Sequence, residues 1–174
     1  TRGYKIGAGS TSPYVLWHNG DVSNIYVGVD AGAVDGGSSN TFVGNRAGFA
    51  NTSGSTNTFV GNSAGEDNTT GQDNTFLGHI AGNSNTTGMD NAFIGHQAGP
   101  SNTTGNGNIA IGFNSGSANT TGSSNIFIGS NANANASNLT NAIAIGSLAR
   151  VDSSNSMVLG SINGINGATA NTRV

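Results

Sequence analysis

Short apolar segments recur along the chain, each closed by glycine and set off by polar residues. They run Ile25-Tyr26-Val27-Gly28, Thr41-Phe42-Val43-Gly44, Thr58-Phe59-Val60-Gly61, Thr75-Phe76-Leu77-Gly78 and Ala92-Phe93-Ile94-Gly95. The series continues as Ile109-Ala110-Ile111-Gly112, Ile126-Phe127-Ile128-Gly129, Ile143-Ala144-Ile145-Gly146 and Met157-Val158-Leu159-Gly160. The closing glycines are 16 residues apart once, then 17 six times in succession, then 14. Composition alone does not give six equal intervals. The chain is a repeat protein, and each apolar segment predicts a short strand.

Each period carries further fixed parts. An asparagine precedes most strands, as Asn24, Asn40, Asn57, Asn74, Asn91, Asn108 and Asn125. A small pair follows the closing glycine, as Ala47-Gly48, Ala64-Gly65, Ala81-Gly82 and Ala98-Gly99. Then comes a polar turn, Asn68-Thr69-Thr70-Gly71, repeated from Asn85, Asn102 and Asn119. Two turn signals in one period leave room for two short strands and no helix, because helical solenoid units need roughly 33 residues or more. The fold expected is therefore all-β: a parallel β-solenoid, or β-roll, with mostly 17-residue coils. Like residues then stack about 4.8 Å apart, and nine strand units make a rod on the order of 40 Å long. Asparagine above asparagine is suited to side-chain amide ladders.

Alternation along a strand sends neighbouring side chains to opposite faces. One face collects Val43, Val60, Leu77, Ile94, Ile111 and Ile128; the other collects Phe42, Phe59, Phe76, Phe93, Ala110 and Phe127. A solitary solenoid needs only its inward face to be apolar. Two apolar faces are the pattern of strands buried on both sides, and monomers avoid large exposed apolar patches. A homo-oligomer is expected, closed around an axis lined by one of the two columns, with the larger phenylalanines the better axial filler.

Composition changes this picture in one respect. Gly (29) and Asn (27) make up close to a third of the 174 residues, while only 7% are charged and the net charge is −3. Leu, Ile, Val and Phe together are just under a fifth, which is too little for an orthodox layered core but enough for stacked columns. With no cysteine, there is no disulfide framework, thiolate metal site or cysteine nucleophile. The longest apolar runs fall far short of the roughly 20 residues of a membrane span. No basic n-region with an apolar core opens the chain, so a signal peptide is expected to be absent or already removed. Scattered charges give no basic patch, so nucleic acid is not an expected partner. Neither a nucleophile elbow nor a pair of buried carboxylates is apparent, so no enzyme and no cofactor is expected.

The Asn-x-apolar-apolar-Gly strand, the small-residue turn and the final 14-residue interval resemble the YadA-like heads of trimeric autotransporter adhesins. Similar modules occur in phage tail fibres and other bacterial surface fibres. The resemblance covers roughly residues 24–165, although these coils are longer and carry Phe where Ala is common. It implies a left-handed roll in each chain, three rolls about a threefold axis, and attachment to a glycan or protein of a target cell. It also implies an extracellular place, on a cell surface or a virion tail fibre, with anchoring through a stalk.

Residues 1–23 do not repeat and form a predicted cap or tip. Tyr14-Val15-Leu16-Trp17-His18-Asn19-Gly20-Asp21-Val22 reads as a hairpin, since Asn-Gly favours a type I′ turn. Trp and Tyr dominate binding hot spots and stack on sugars. Tyr14, Trp17, His18 and Asp21 are therefore the candidate ligand-binding residues, against the plainer reading of an end cap. Residues 166–174 read as an exit segment toward a neck or stalk. No metal site is expected, with His79 and His96, one rung apart, as the alternative. Asp73 and Asp90 also stack, without the pattern of a calcium loop. Two other functions compete with adhesion: a passive fibre spacer, and an ice-binding solenoid using Thr69-Thr70 and its repeats.

Overall fold

The computed structural model describes residues 23–160, and no helix occurs among them. The strands are β1 (Ile25–Val27), β2 (Thr41–Val43), β3 (Thr58–Val60), β4 (Thr75–Leu77), β5 (Ala92–Ile94), β6 (Ile109–Ile111) and β7 (Ile126–Ile128). They are followed by β8 (Asn133–Ala134), β9 (Ile143–Ile145), β10 (Arg150–Val151) and β11 (Met157–Leu159). Nine form one parallel sheet in the order β1-β2-β3-β4-β5-β6-β7-β9-β11. Each strand pairs with its equivalent one coil away, so that Phe42 lies against Phe59, Phe76 against Phe93 and Ile94 against Ile111. The solenoid expected from the period is the fold observed.

Each strand stops after three residues because its closing glycine takes a backbone that other residues rarely adopt. Gly95 has φ +132, and a Cβ there would lie 2.7 Å from the carbonyl oxygen of Gly112 in the next coil. The closing glycines therefore stack backbone on backbone, which requires the absence of a side chain.

Two strands per coil were expected, and most coils have one. The return limb is still bonded coil to coil, with Gly48 N donating to Ala64 O (3.0 Å), Ala50 N to Glu66 O (2.9 Å) and Thr52 N to Thr69 O (2.9 Å). It is not extended, because the second residue of the Ala-Gly pair is left-handed: Gly48, Gly65, Gly82 and Gly99 have φ between +53 and +59. Where that glycine is replaced, by Asn133 and Arg150, the limb straightens. There β8 and β10 pair as a second, two-stranded sheet.

The interior of each coil is narrow. Phe42, Phe59, Phe76 and Phe93 stack with centroids 4.7–4.9 Å apart, are at most 1% exposed, and face Ala47, Ala64, Ala81 and Ala98. The phenylalanine column is thus the core of the chain itself. The expectation that it fills an axis between chains is corrected: of the two columns compared, it is the Val/Leu/Ile one that faces outward. The ring takes the inward place because a left-handed glycine lies beneath it; a Cβ on Gly99 would meet the Phe93 ring at 2.6 Å.

Buried asparagines fill the rest of the interior as two ladders. The strand asparagine accepts from the next coil's backbone and donates across the coil: Asn57 Oδ1 accepts from Asn74 N (3.0 Å), and Asn57 Nδ2 donates to Gly71 O (2.8 Å). In the turn ladder, Asn119 donates to Asn102, Asn102 to Asn85, Asn85 to Asn68 and Asn68 to Asn51, at 2.7–3.1 Å. Every link also donates to its own turn glycine, as Asn85 Nδ2 does to Gly88 O (3.0 Å). A buried amide left unpaired costs about 1–3 kcal/mol, so such ladders are worth having only when continuous.

Candidate functional site

Two surfaces and one end of the rod carry chemistry not absorbed by the core. The largest is the outward face of the nine-stranded sheet. Its middle column is Val27, Val43, Val60, Leu77, Ile94, Ile111, Ile128, Ile145 and Leu159. The column two residues earlier changes along the rod: Thr41, Thr58 and Thr75 in β2–β4, then Ala92, Ile109, Ile126, Ile143 and Met157. From β5 onward the face is two apolar columns wide. Leu77 is 47% exposed, Ile111 37% and Met157 57%.

Beside this face runs the column that follows the closing glycines: Val29, Asn45, Asn62, His79, His96, Phe113, Ser130 and Ser147. The structure brings His79 and His96 together, their rings stacked 5.1 Å apart with planes at 5°. Phe113 continues the stack 5.4 Å beyond His96. All three are exposed. Below them, Asn62 Nδ2 donates to Asn45 Oδ1 (3.2 Å). Histidine is thus one of several residues the fold accepts in this column.

The second surface is the threonine turn. Thr52, Thr69, Thr86 and Thr103 each donate their hydroxyl to the carbonyl of the corresponding threonine one coil on, at 2.9–3.0 Å. Those hydroxyls are consumed by the stack. The neighbouring column Thr70, Thr87, Thr104 and Thr121 stands exposed.

At the N-terminal end, the place of the turn asparagine is taken by Asp35, which is buried. Its carboxylate accepts from Asn51 Nδ2 (2.6 Å), Gly37 N (2.7 Å), Asn40 Nδ2 (3.0 Å) and the hydroxyl of Tyr26. The turn ladder donates toward this end throughout, so a group that only accepts is the natural terminus. Tyr26 takes the phenylalanine place and brings the hydroxyl that the carboxylate needs. Sequence reasoning missed this pair, although both departures from the repeat, Tyr for Phe and Asp for Asn, fall in the same coil.

Asp73 and Asp90 lie one coil apart in left-handed turn positions, and Asp73 Oδ1 accepts from the Thr56 hydroxyl (2.5 Å). Among the described residues no three His, Asp or Glu side chains gather as a metal cluster. Glu66 is held by Arg46, 2.6 Å away across one coil, whose guanidinium also lies 4.1 Å from the Phe49 ring centroid. Burial by itself raises the Glu66 pKa. Hydrogen bonds from Ser63, Arg46 and Asn83, together with the Arg46 charge, outweigh it and hold the carboxyl below its ordinary value. Tyr14, Trp17, His18 and Asp21 of the predicted tip lie outside the described residues, as does the exit segment 166–174.

No family model, curated protein or solved structure matches the chain.

Proposed function

We propose that the chain is the non-catalytic, adhesive head of a homotrimeric fibre, attaching to a glycan or protein on a target surface and displayed outside the cell or on a virion. One observation carries the association: one column of the outward sheet face, from Val27 to Leu159, stays apolar over the described coils after the phenylalanine column has satisfied the core. Covering that strip with equivalent strips of other copies removes it from water, at roughly 25 cal/mol per Å² of apolar surface buried. The threefold number and the adhesive role follow from the resemblance to YadA-like heads. Three equivalent weak sites on a rigid rod then bind a multivalent surface by avidity.

Light scattering on the whole chain tests association first; a stable 17 kDa species would end this reading. Ile94→Glu and Ile111→Glu, both on the outward face, are expected to give folded monomers with unchanged circular dichroism. Adhesion is tested separately, by binding of the chain and its Trp17→Ala variant to cells and glycan arrays. The head requires binding that drops at least tenfold in the variant. If neither protein binds any surface, the chain is a passive spacer.

A further inference from the structure

We propose that His79 and His96 form a two-imidazole site for a late divalent transition ion, of the class Cu²⁺, Ni²⁺ or Zn²⁺. The positions are not dictated by packing. Their column accepts Val, Asn, Phe and Ser in other coils, and both imidazoles are exposed. Neither ring is hydrogen-bonded to any described residue, so all four ring nitrogens remain available among these contacts.

The geometry is set by the sheet. Leu77 pairs with Ile94 across β4 and β5, and two residues further on the rings fall in register, parallel within 5° and 5.1 Å apart. Parallel stacked rings present edges, not faces, to solvent, and the nitrogens lie on the edges. This disfavours a sugar platform, which needs an open ring face, and favours a ligand taken at the nitrogens. One ion with metal–nitrogen bonds of about 2.0–2.1 Å requires its two ligating nitrogens roughly 3–3.4 Å apart. Exposed rings already stacked reach that separation by side-chain rotation alone, with no movement of the strands that carry them. Imidazole is the ligand these ions share, and the order of divalent affinities puts Cu²⁺ first.

Two imidazoles leave coordination positions open. In a cyclic assembly, equivalent residues of all copies lie at the same height. A second copy associated through the outward face would therefore present its own His79 and His96 at the same level. This completion rests on the association proposed above; the pair in one chain does not.

The test is a titration of the whole chain with ZnCl₂ or NiCl₂ alone, followed by NMR of the imidazole ring protons, with sedimentation velocity at each end point. The wild type is compared with H79N and H96N, since asparagine occupies this column at Asn62 and both variants are expected to keep the wild-type circular dichroism. The site predicts that both rings respond along one saturable isotherm, and that either substitution weakens binding at least tenfold. His18 is present in all three proteins and cancels in the comparison. Independent, non-saturating responses of the two rings overturn the proposal, as does equal affinity in wild type and variants. A monomer whose two rings titrate together keeps the metal pair and removes the association. A metal-free oligomer whose rings do not respond does the reverse.

Discussion

At the scale of single residues, the fold is decided by which side chains are missing. Fifteen non-glycine residues among those described have positive φ, so a left-handed turn is not by itself what demands glycine here. The Ala-Gly pair demands it for space. Gly99 (φ +53) would place a Cβ 2.6 Å from the Phe93 ring, whereas Gly107 (φ +65) has nothing nearer than 3.8 Å and shares its column with Asp73, Asp90 and Ser124. Both substitutions to alanine carry a left-handed backbone cost of about 1 kcal/mol. Only Gly99→Ala must also displace a core ring, adding about 1–3 kcal/mol of overpacking. Urea unfolding is therefore expected to show Gly99→Ala less stable than Gly107→Ala by at least ~1 kcal/mol. Equal losses would mean that the ring over Gly99 is not held where the structure places it.

At the scale of the repeating element, stability lies in columns that run through the coils. Asn68 receives a bond from Asn85 and donates to Asn51 and Gly71. Asn68→Ala therefore leaves Asn51 Oδ1 without this donor and Asn85 Nδ2 without this acceptor, both fully buried. The expected loss is about 2–4 kcal/mol. The same change at Thr70, exposed and outside the ladder, is expected to fall within about 0.5 kcal/mol of wild type. The ladder was legible in the sequence because Asn68, Asn85, Asn102 and Asn119 recur at the coil period. The strands were legible for the same reason. What alternation left open was which side of Thr-Phe-Val is inside, since it yields two apolar faces and does not mark either one. The mark was present six residues on: every core phenylalanine from Phe42 to Phe93 is followed by the glycine its ring covers, as Phe93 is by Gly99. The return limb was misread as a strand because its φ reversal is carried by that glycine, and it straightens only at Asn133 and Arg150. Of the candidate sites, His79 and His96 were placed together by the period alone. Asp35 and Tyr26 were hidden, because each taken singly looks like a tolerated variation.

At the scale of the whole molecule, the turn ladder constrains the route by which the chain matures. Asn51-Thr52-Ser53, Asn68-Thr69-Thr70, Asn85-Thr86-Thr87, Asn102-Thr103-Thr104 and Asn119-Thr120-Thr121 all match the Asn-x-Ser/Thr acceptor of asparagine glycosylation. That acceptor belongs in exposed loops, yet these five asparagines are 0–2% exposed. The nitrogen that would carry the sugar is the one donating along the ladder, as Asn68 Nδ2 does at 2.7 Å to Asn51. Glycan attachment and the folded coil exclude each other at all five. Asn135-Ala136-Ser137 and Asn138-Leu139-Thr140 also match, and both asparagines are exposed. Passed through a eukaryotic secretory pathway, the chain is expected to be modified in the ladder before the coils close, and to be retained or to aggregate. Replacing Ser53, Thr70, Thr87, Thr104 and Thr121 by alanine removes the five acceptors without touching the hydroxyls of Thr69 and its equivalents, which bond the next coil. That variant is expected to be secreted and folded, with glycans confined to Asn135 and Asn138, as read by mass spectrometry before and after enzymatic deglycosylation. A secreted wild-type protein carrying glycans on Asn68 or Asn85 while keeping its β-sheet circular dichroism would show the turn ladder to be dispensable. If the ladder is indispensable, the coils close only where these five asparagines are left unglycosylated.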